Sequence, residues 1–169
     1  NPQVANATLT VGLLALMVTI TTGIYLIIES SMQLLPIGII GVVLIITYTH
    51  WLNRFPFLCL LAPGLGFGTL MVVGTHMVLT GGYTLLPWLL SLSTFFLLYY
   101  LLLLNKHPDI TVDQSVGRNT FPIAFGLNKS NLVYAIFMLA AYSSILLLIT
   151  NGYISNNSII ALIPIIFSL

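Results

Sequence analysis

Apolar stretches separated by short polar breaks set the rhythm of this chain: Leu9 to Ile28, Leu35 to Tyr48, Phe57 to Leu79, Leu85 to Leu104, Leu132 to Ile149 and Ile159 to Leu169. None alternates with period two. Most approach the ~20 residues that a helix needs to cross a bilayer, so they predict transmembrane helices rather than barrel strands. The expected fold is all-α, a multi-span bundle with five full spans and a partial sixth. The second stretch reaches spanning length only if the polar Thr49 and His50 lie in the interface, and its lower end is expected to line a cavity. The sixth stops while still apolar, and Asn1-Pro2-Gln3 has neither an initiator Met nor a basic n-region. Residues 1–169 therefore read as one transmembrane domain truncated at both ends, an interior piece of a longer protein.

Composition agrees with a bilayer setting: 59% of residues are hydrophobic, 4% are charged, and mean hydropathy is +1.11. A net charge of +1 with dispersed bases excludes a nucleic-acid footprint. Cys59 is the only cysteine, which excludes a disulfide framework or a cysteine metal site and leaves it as buried filler. If the spans alternate, Arg54, Lys106, Arg118 and Lys129 all fall on one side and Glu29 on the other. The positive-inside rule makes the basic side cytoplasmic.

The polar stretch from Asn105 to Asn131 carries the candidate chemistry. Asn105, Asp109 and Asp113 repeat at i, i+4 and i+8, which on a helix drifts by only ~40° per step and puts three oxygen donors on one stripe. Pro108 falls inside the triplet, so the helix is expected to kink or restart there. Carboxylate and amide oxygens suit Mg²⁺, which commonly shares one or two carboxylates with a substrate's phosphates. Arg118, beyond Gly117, and Lys106 are placed to neutralise a diphosphate leaving group. The competing reading makes Asp109 and Asp113 solvated loop charges in weak surface pairs with Lys106 and Arg118.

The string from Asn105 to Gly126, with its N-x-x-x-D-x-x-x-D-x-x-x-G-R-x-T form ending at Thr120, resembles the second aspartate-rich motif of the UbiA superfamily of intramembrane aromatic prenyltransferases. It is most similar to the branch that prenylates 1,4-dihydroxy-2-naphthoate for menaquinone. The resemblance implies a nine-helix bundle, of which this chain would supply the third helix to the start of the eighth. It also implies Mg²⁺ bridging two aspartate-rich motifs and a polyprenyl diphosphate. Asp109 and Asp113 would be catalytic, Asn105 would join them as a metal ligand, and Arg118 and Lys106 would bind the diphosphate. An allylic cation would then be captured by the ring of an aromatic acceptor. The same branch implies a bacterial or archaeal cell inner membrane, with the site facing the cytoplasm. The family's first aspartate-rich motif is not in this sequence, so this stretch by itself is expected to be inactive. Of the family's Tyr-x-x-x-Lys element, Tyr48 is kept, Leu52 replaces the lysine, and Arg54 stands two residues on; Tyr48, Asn53 and Arg54 are the expected acceptor contacts. Where the naphthoate branch usually continues Gly-Leu-Gly with glutamate, Gly64-Leu65-Gly66 is followed by Phe67.

Other classes find less support. The run preceding the D-x-x-x-D of CDP-alcohol phosphatidyltransferases is missing. A channel, transporter or respiratory-complex subunit should show ionisable groups in mid-span, and only His76 is one. Gly64, Gly66 and Gly68 after Pro63 read as close helix packing with a proline kink, not as a nucleotide loop. His107 reads as a helix-end residue, His76 as a bundle-facing or interfacial one, and Trp51 and Trp88 as interfacial anchors.

Overall fold

The computed structural model describes residues 2–164, apart from the side chains of residues 2–4, 49, 50 and 53. Its helices are α1 (Pro2–Glu29), α2 (Leu35–His50), α3 (Pro56–Pro63), a π-helical segment Gly64–Leu70, α4 (Met71–Thr80), α5 (Leu85–Lys106), α6 (Ile110–Ser115), α7 (Phe121–Phe125) and α8 (Leu127–Thr150). Among the described residues there is no strand. The first five apolar stretches all fall inside helices, with α3, the π-helical segment and α4 forming one continuous rod.

Two spans differ from expectation. Among the described residues four helices are long and apolar enough to cross a membrane: Ala5–Glu29, Pro56–Thr80, Leu85–Lys106 and Leu127–Thr150. Helix α2, with 16 residues, is about 24 Å long at its helical rise, short of a hydrocarbon core of ~30 Å. A 3-10 turn, Met32–Leu34, precedes it, Pro36 stands in its first turn, and polar Thr49 and His50 close it. The partial sixth span starts as a 3-10 helix, Asn156–Leu162, rather than an α-helix, and its last residues, from 165 on, lie outside the described residues.

Helix α5 is the hub. Helix α8 packs along one flank and the π-helical segment along another. Aromatic rings fill the first seam, with Tyr99 stacked on Phe137 at 4.1 Å between centroids and Phe96 5.7 Å from the same ring. Ser93 and Ser144 share a 2.7 Å hydrogen bond across it, a polar tie that hydrocarbon cannot dissolve. Leu60, Tyr99, Leu103 and Phe121 form one buried cluster, and Leu34, Val73 and Met77 form a second. At that second cluster the Ser30 hydroxyl reaches the carbonyls of Met77 and Val78, each at 3.2 Å, fastening the end of α1 to α4. Leu26 and Ile27 pack against that cluster, and most of the other described apolar side chains of α1 face outward.

The glycine run after Pro63 does pack closely, as the sequence suggests, but the expected kink takes the form of a wider winding. Gly64 and Gly68 face α5, and a Cβ on Gly68 would stand 2.7 Å from the Phe95 Cα. Gly66 points away, with nothing within 4 Å of its would-be Cβ. Gly68→Ala is therefore expected to destabilise the bundle by roughly 1–3 kcal/mol through overpacking, whereas Gly66→Ala holds or raises the melting temperature. Equal melting of the two variants would refute this account of the π-helical packing.

Candidate active site at one end of the bundle

Helix α5 ends at Lys106, the segment His107-Pro108-Asp109 is not helical, and α6 restarts at Ile110 with Asp109 at its N-cap position. Proline cannot supply the amide that continuation would need, so the break falls where the sequence places it. The Asp113 amide donates to the Asp109 carbonyl at 2.8 Å, closing the first turn of α6. This restart breaks the expected stripe. Asn105 lies on α5, Asp109 in the link and Asp113 on α6; Asn105 and Asp109 are exposed, and Asp113 is buried.

The Asp113 side chain is only 4% exposed, and both its oxygens are engaged. Lys106 Nζ donates to Oδ2 at 3.2 Å, and Arg118 Nη1 donates to Oδ1 at 3.0 Å. Gly117 makes the second contact available. Its φ of +72° turns the chain back after α6, and the Arg118 amide then donates to the Asp113 carbonyl at 2.9 Å. The two bases thus lie beside one of the two acids, Asp113. Both ion pairs among the described residues end on Asp113, and Asp109 belongs to neither. The competing surface-pair reading fits the partners but not the burial. Three formal charges, two positive and one negative, leave this cluster with an excess positive charge, and the Arg118 side chain is 47% exposed and able to turn outward.

Tyr48, at the end of α2, reaches the same place. Its hydroxyl lies 3.7 Å from the Cys59 sulfur, and the charges of Arg118 and Asp113 act on it. A narrow cleft lined by Tyr48, Cys59, Leu103, Lys106, Thr120 and Phe121 connects the ends of α2, α3, α5 and α7. Beyond Tyr48 and Leu102, which line both, opens an apolar cavity of about 680 Å³ bounded by Ala62, Pro63 and Leu70. The lower end of α2 therefore lines a cavity, as its sequence suggests. A cationic patch at the mouth of an apolar cavity fits an amphiphile with an anionic head and a long hydrocarbon tail.

Among the described residues three buried polar atoms have no hydrogen-bond partner: Thr120 Oγ1, His107 Nε2 and Ser130 Oγ. Such groups cost about 1–3 kcal/mol each, and they are found where a ligand completes the bonding. Thr120 stands in the cleft beside Lys106. The only sequence signal for it is its place in the G-R-x-T run, and Ser130 carries no signal at all. Cys59 is buried filler as expected, with a tyrosine for a neighbour.

The oxygen donors present are chemically suited to a hard cation. Among the described residues no group of three or more His, Cys, Asp or Glu gathers, so these residues alone make an incomplete cage. That composition fits Mg²⁺, which binds through one or two carboxylates and completes its shell with phosphate and water. Of the expected acceptor contacts, Tyr48 is at the site. Arg54 is exposed on a 3-10 turn, Leu52–Arg54, outside both ion pairs. The side chains of Asn53 and His50 lie outside the described residues. His107 is indeed a helix-end residue, directly after α5. His76 belongs to the other end of the bundle, where its Nε2 lies 2.9 Å from the Thr84 hydroxyl.

No curated protein and no solved structure matches the chain. The UbiA prenyltransferase family matches residues 5–169. That span takes in the four long apolar helices, the cationic cleft and the apolar cavity behind it, and the protein is accordingly an integral membrane prenyltransferase. The chain belongs to the UbiA prenyltransferase family.

Proposed function

We propose that the protein transfers a polyprenyl group from polyprenyl diphosphate to an aromatic acceptor of the quinone-precursor type, with 1,4-dihydroxy-2-naphthoate the favoured candidate, and that the reaction depends on Mg²⁺. The observation that carries this reading is the Lys106–Asp113–Arg118 cluster at the mouth of an apolar cavity. Asp109, Asn105 and Asp113 would hold Mg²⁺, whose chemistry when bound is to offset the diphosphate's negative charge. Lys106 and Arg118 bind the phosphate oxygens, and Arg118 is suited to two at once through its planar fork. Asp113 holds both cations beside it, so little reorganisation is needed as charge develops on the leaving group.

The bond that breaks joins the allylic carbon to the diphosphate oxygen, and its electron pair leaves with the diphosphate. A ring carbon of the acceptor bonds to the allylic carbon, and loss of its proton restores aromaticity. The apolar cavity holds the tail and keeps water from the cation, which would otherwise be hydrolysed. Tyr48, which lines both cleft and cavity, would contact the acceptor ring. Because all four bases lie at the ends of spans expected on one side, the site is proposed to face the cytoplasm.

The test is transfer in vesicles by a chain that carries both aspartate-rich motifs, with Mg²⁺, a polyprenyl diphosphate and 1,4-dihydroxy-2-naphthoate. A prenylated ring and released diphosphate are expected. Failure to release diphosphate with any aromatic acceptor would sink the proposal. Thr120→Val gives a finer result: removing an unpaired buried hydroxyl leaves melting equal or higher, while diphosphate binding weakens about tenfold because a bond to a charged oxygen is lost. Unchanged binding in that variant would assign the hydroxyl a purely structural place.

A further inference from the structure

A second apolar cavity, of about 510 Å³, lies between α1 and α2, with Gly23, Ile27 and Gly38 in its walls. It shares Gly41, Ile45, Leu70 and Met71 with the cavity behind Tyr48, so the two meet along one strip of α2 and the start of α4. The first cavity in turn shares Tyr48 and Leu102 with the cleft that holds Lys106 and Thr120. One apolar path therefore leads from the cationic cluster, past Tyr48, to Gly41 and beyond. At Gly41 the wall carries no side chain, and a Cβ built there meets no atom within 4 Å. Gly41 lines both cavities, so a side chain added there stands where they adjoin.

Volumes decide what the junction does. Taking roughly 150 Å³ for a six-carbon apolar ligand, the 680 Å³ cavity holds about five isoprene units and the 510 Å³ cavity about four. A short tail fits wholly on the near side, and a longer one can extend past Gly41 into the second cavity. We propose that Gly41 is the gate that admits long polyprenyl tails, and that its missing side chain sets the upper length of the donor. This rests on the prenyl-transfer reading.

The experiment titrates the full-length protein in lipid nanodiscs with geranyl diphosphate and with octaprenyl diphosphate, following bound ligand by native mass spectrometry. Gly41→Leu is expected to keep geranyl diphosphate affinity and to bind octaprenyl diphosphate at least about tenfold more weakly, the scale of a few displaced methylenes. Gly41→Ala should shift the ratio of the two affinities in the same direction by a smaller factor. If Gly41→Leu loses both ligands, the Gly41→Ala ratio decides, and an unchanged ratio overturns the gate. Octaprenyl binding undiminished in a Gly41→Leu protein that still binds geranyl diphosphate overturns the gate alone. Absence of geranyl diphosphate binding to the unsubstituted protein overturns the prenyl-transfer reading and the gate with it.

Discussion

Asp109→Ala is expected to slow prenyl transfer by about a hundredfold or more while leaving the melting temperature where it was. Asp109 is exposed and outside both ion pairs, so its side chain contributes little to the fold. What it offers is an exposed carboxylate outside both ion pairs, one helical turn from Asp113 at the start of α6. A carboxylate in that state can take part in holding a cation against a diphosphate. Rates should be measured at saturating Mg²⁺ and again across a Mg²⁺ titration, where the variant should require more metal for whatever transfer it retains. Full activity at ordinary Mg²⁺ would remove Asp109 from the site.

Asp113→Ala should be costly in both currencies, which separates it from its neighbour. Deleting one member of a buried ion pair costs roughly 3–5 kcal/mol when the partners are buried too. Here the Lys106 side chain is 22% exposed and the Arg118 side chain 47%, so water screens what is left and the expected loss is nearer 1–2 kcal/mol. Transfer should fall at least as far as in Asp109→Ala, because Lys106 and Arg118 lose the anchor that aims them. Added pyrophosphate should recover part of the lost melting temperature by giving the two cations another anion. An Asp113→Ala protein with unaltered melting and unaltered transfer would contradict the geometry of the cluster and the function argued from it.

The bundle was legible because hydropathy speaks directly to helices in a bilayer: each of the first five stretches is a helix, and Pro108 breaks α5 where it stands in the sequence. The site was legible as a set of neighbours and less so as a shape. Spacing brought Lys106, Asp113 and Arg118 into one place, and it placed Asn105, Asp109 and Asp113 on a stripe that a restarted helix cannot keep. A one-dimensional periodicity holds only while one helix axis holds, and the proline ends that axis between the first two members. The buried hydroxyls of Thr120 and Ser130 were invisible for a different reason. Burial of a small polar side chain depends on what α7 and α8 pack against, and no periodicity reports that. The π-helical winding likewise follows from Gly64 and Gly68 meeting Phe95, a contact between distant stretches.

Helix α1 is pinned near Ser30 and bare along the rest of its length. Helix α5, by contrast, carries its own surroundings in the form of α8 and the π-helical segment. A substitution on α1 therefore has two routes into the bundle, the tie at Ser30 and the wall that α1 shares with α2 at the more distant of the two cavities.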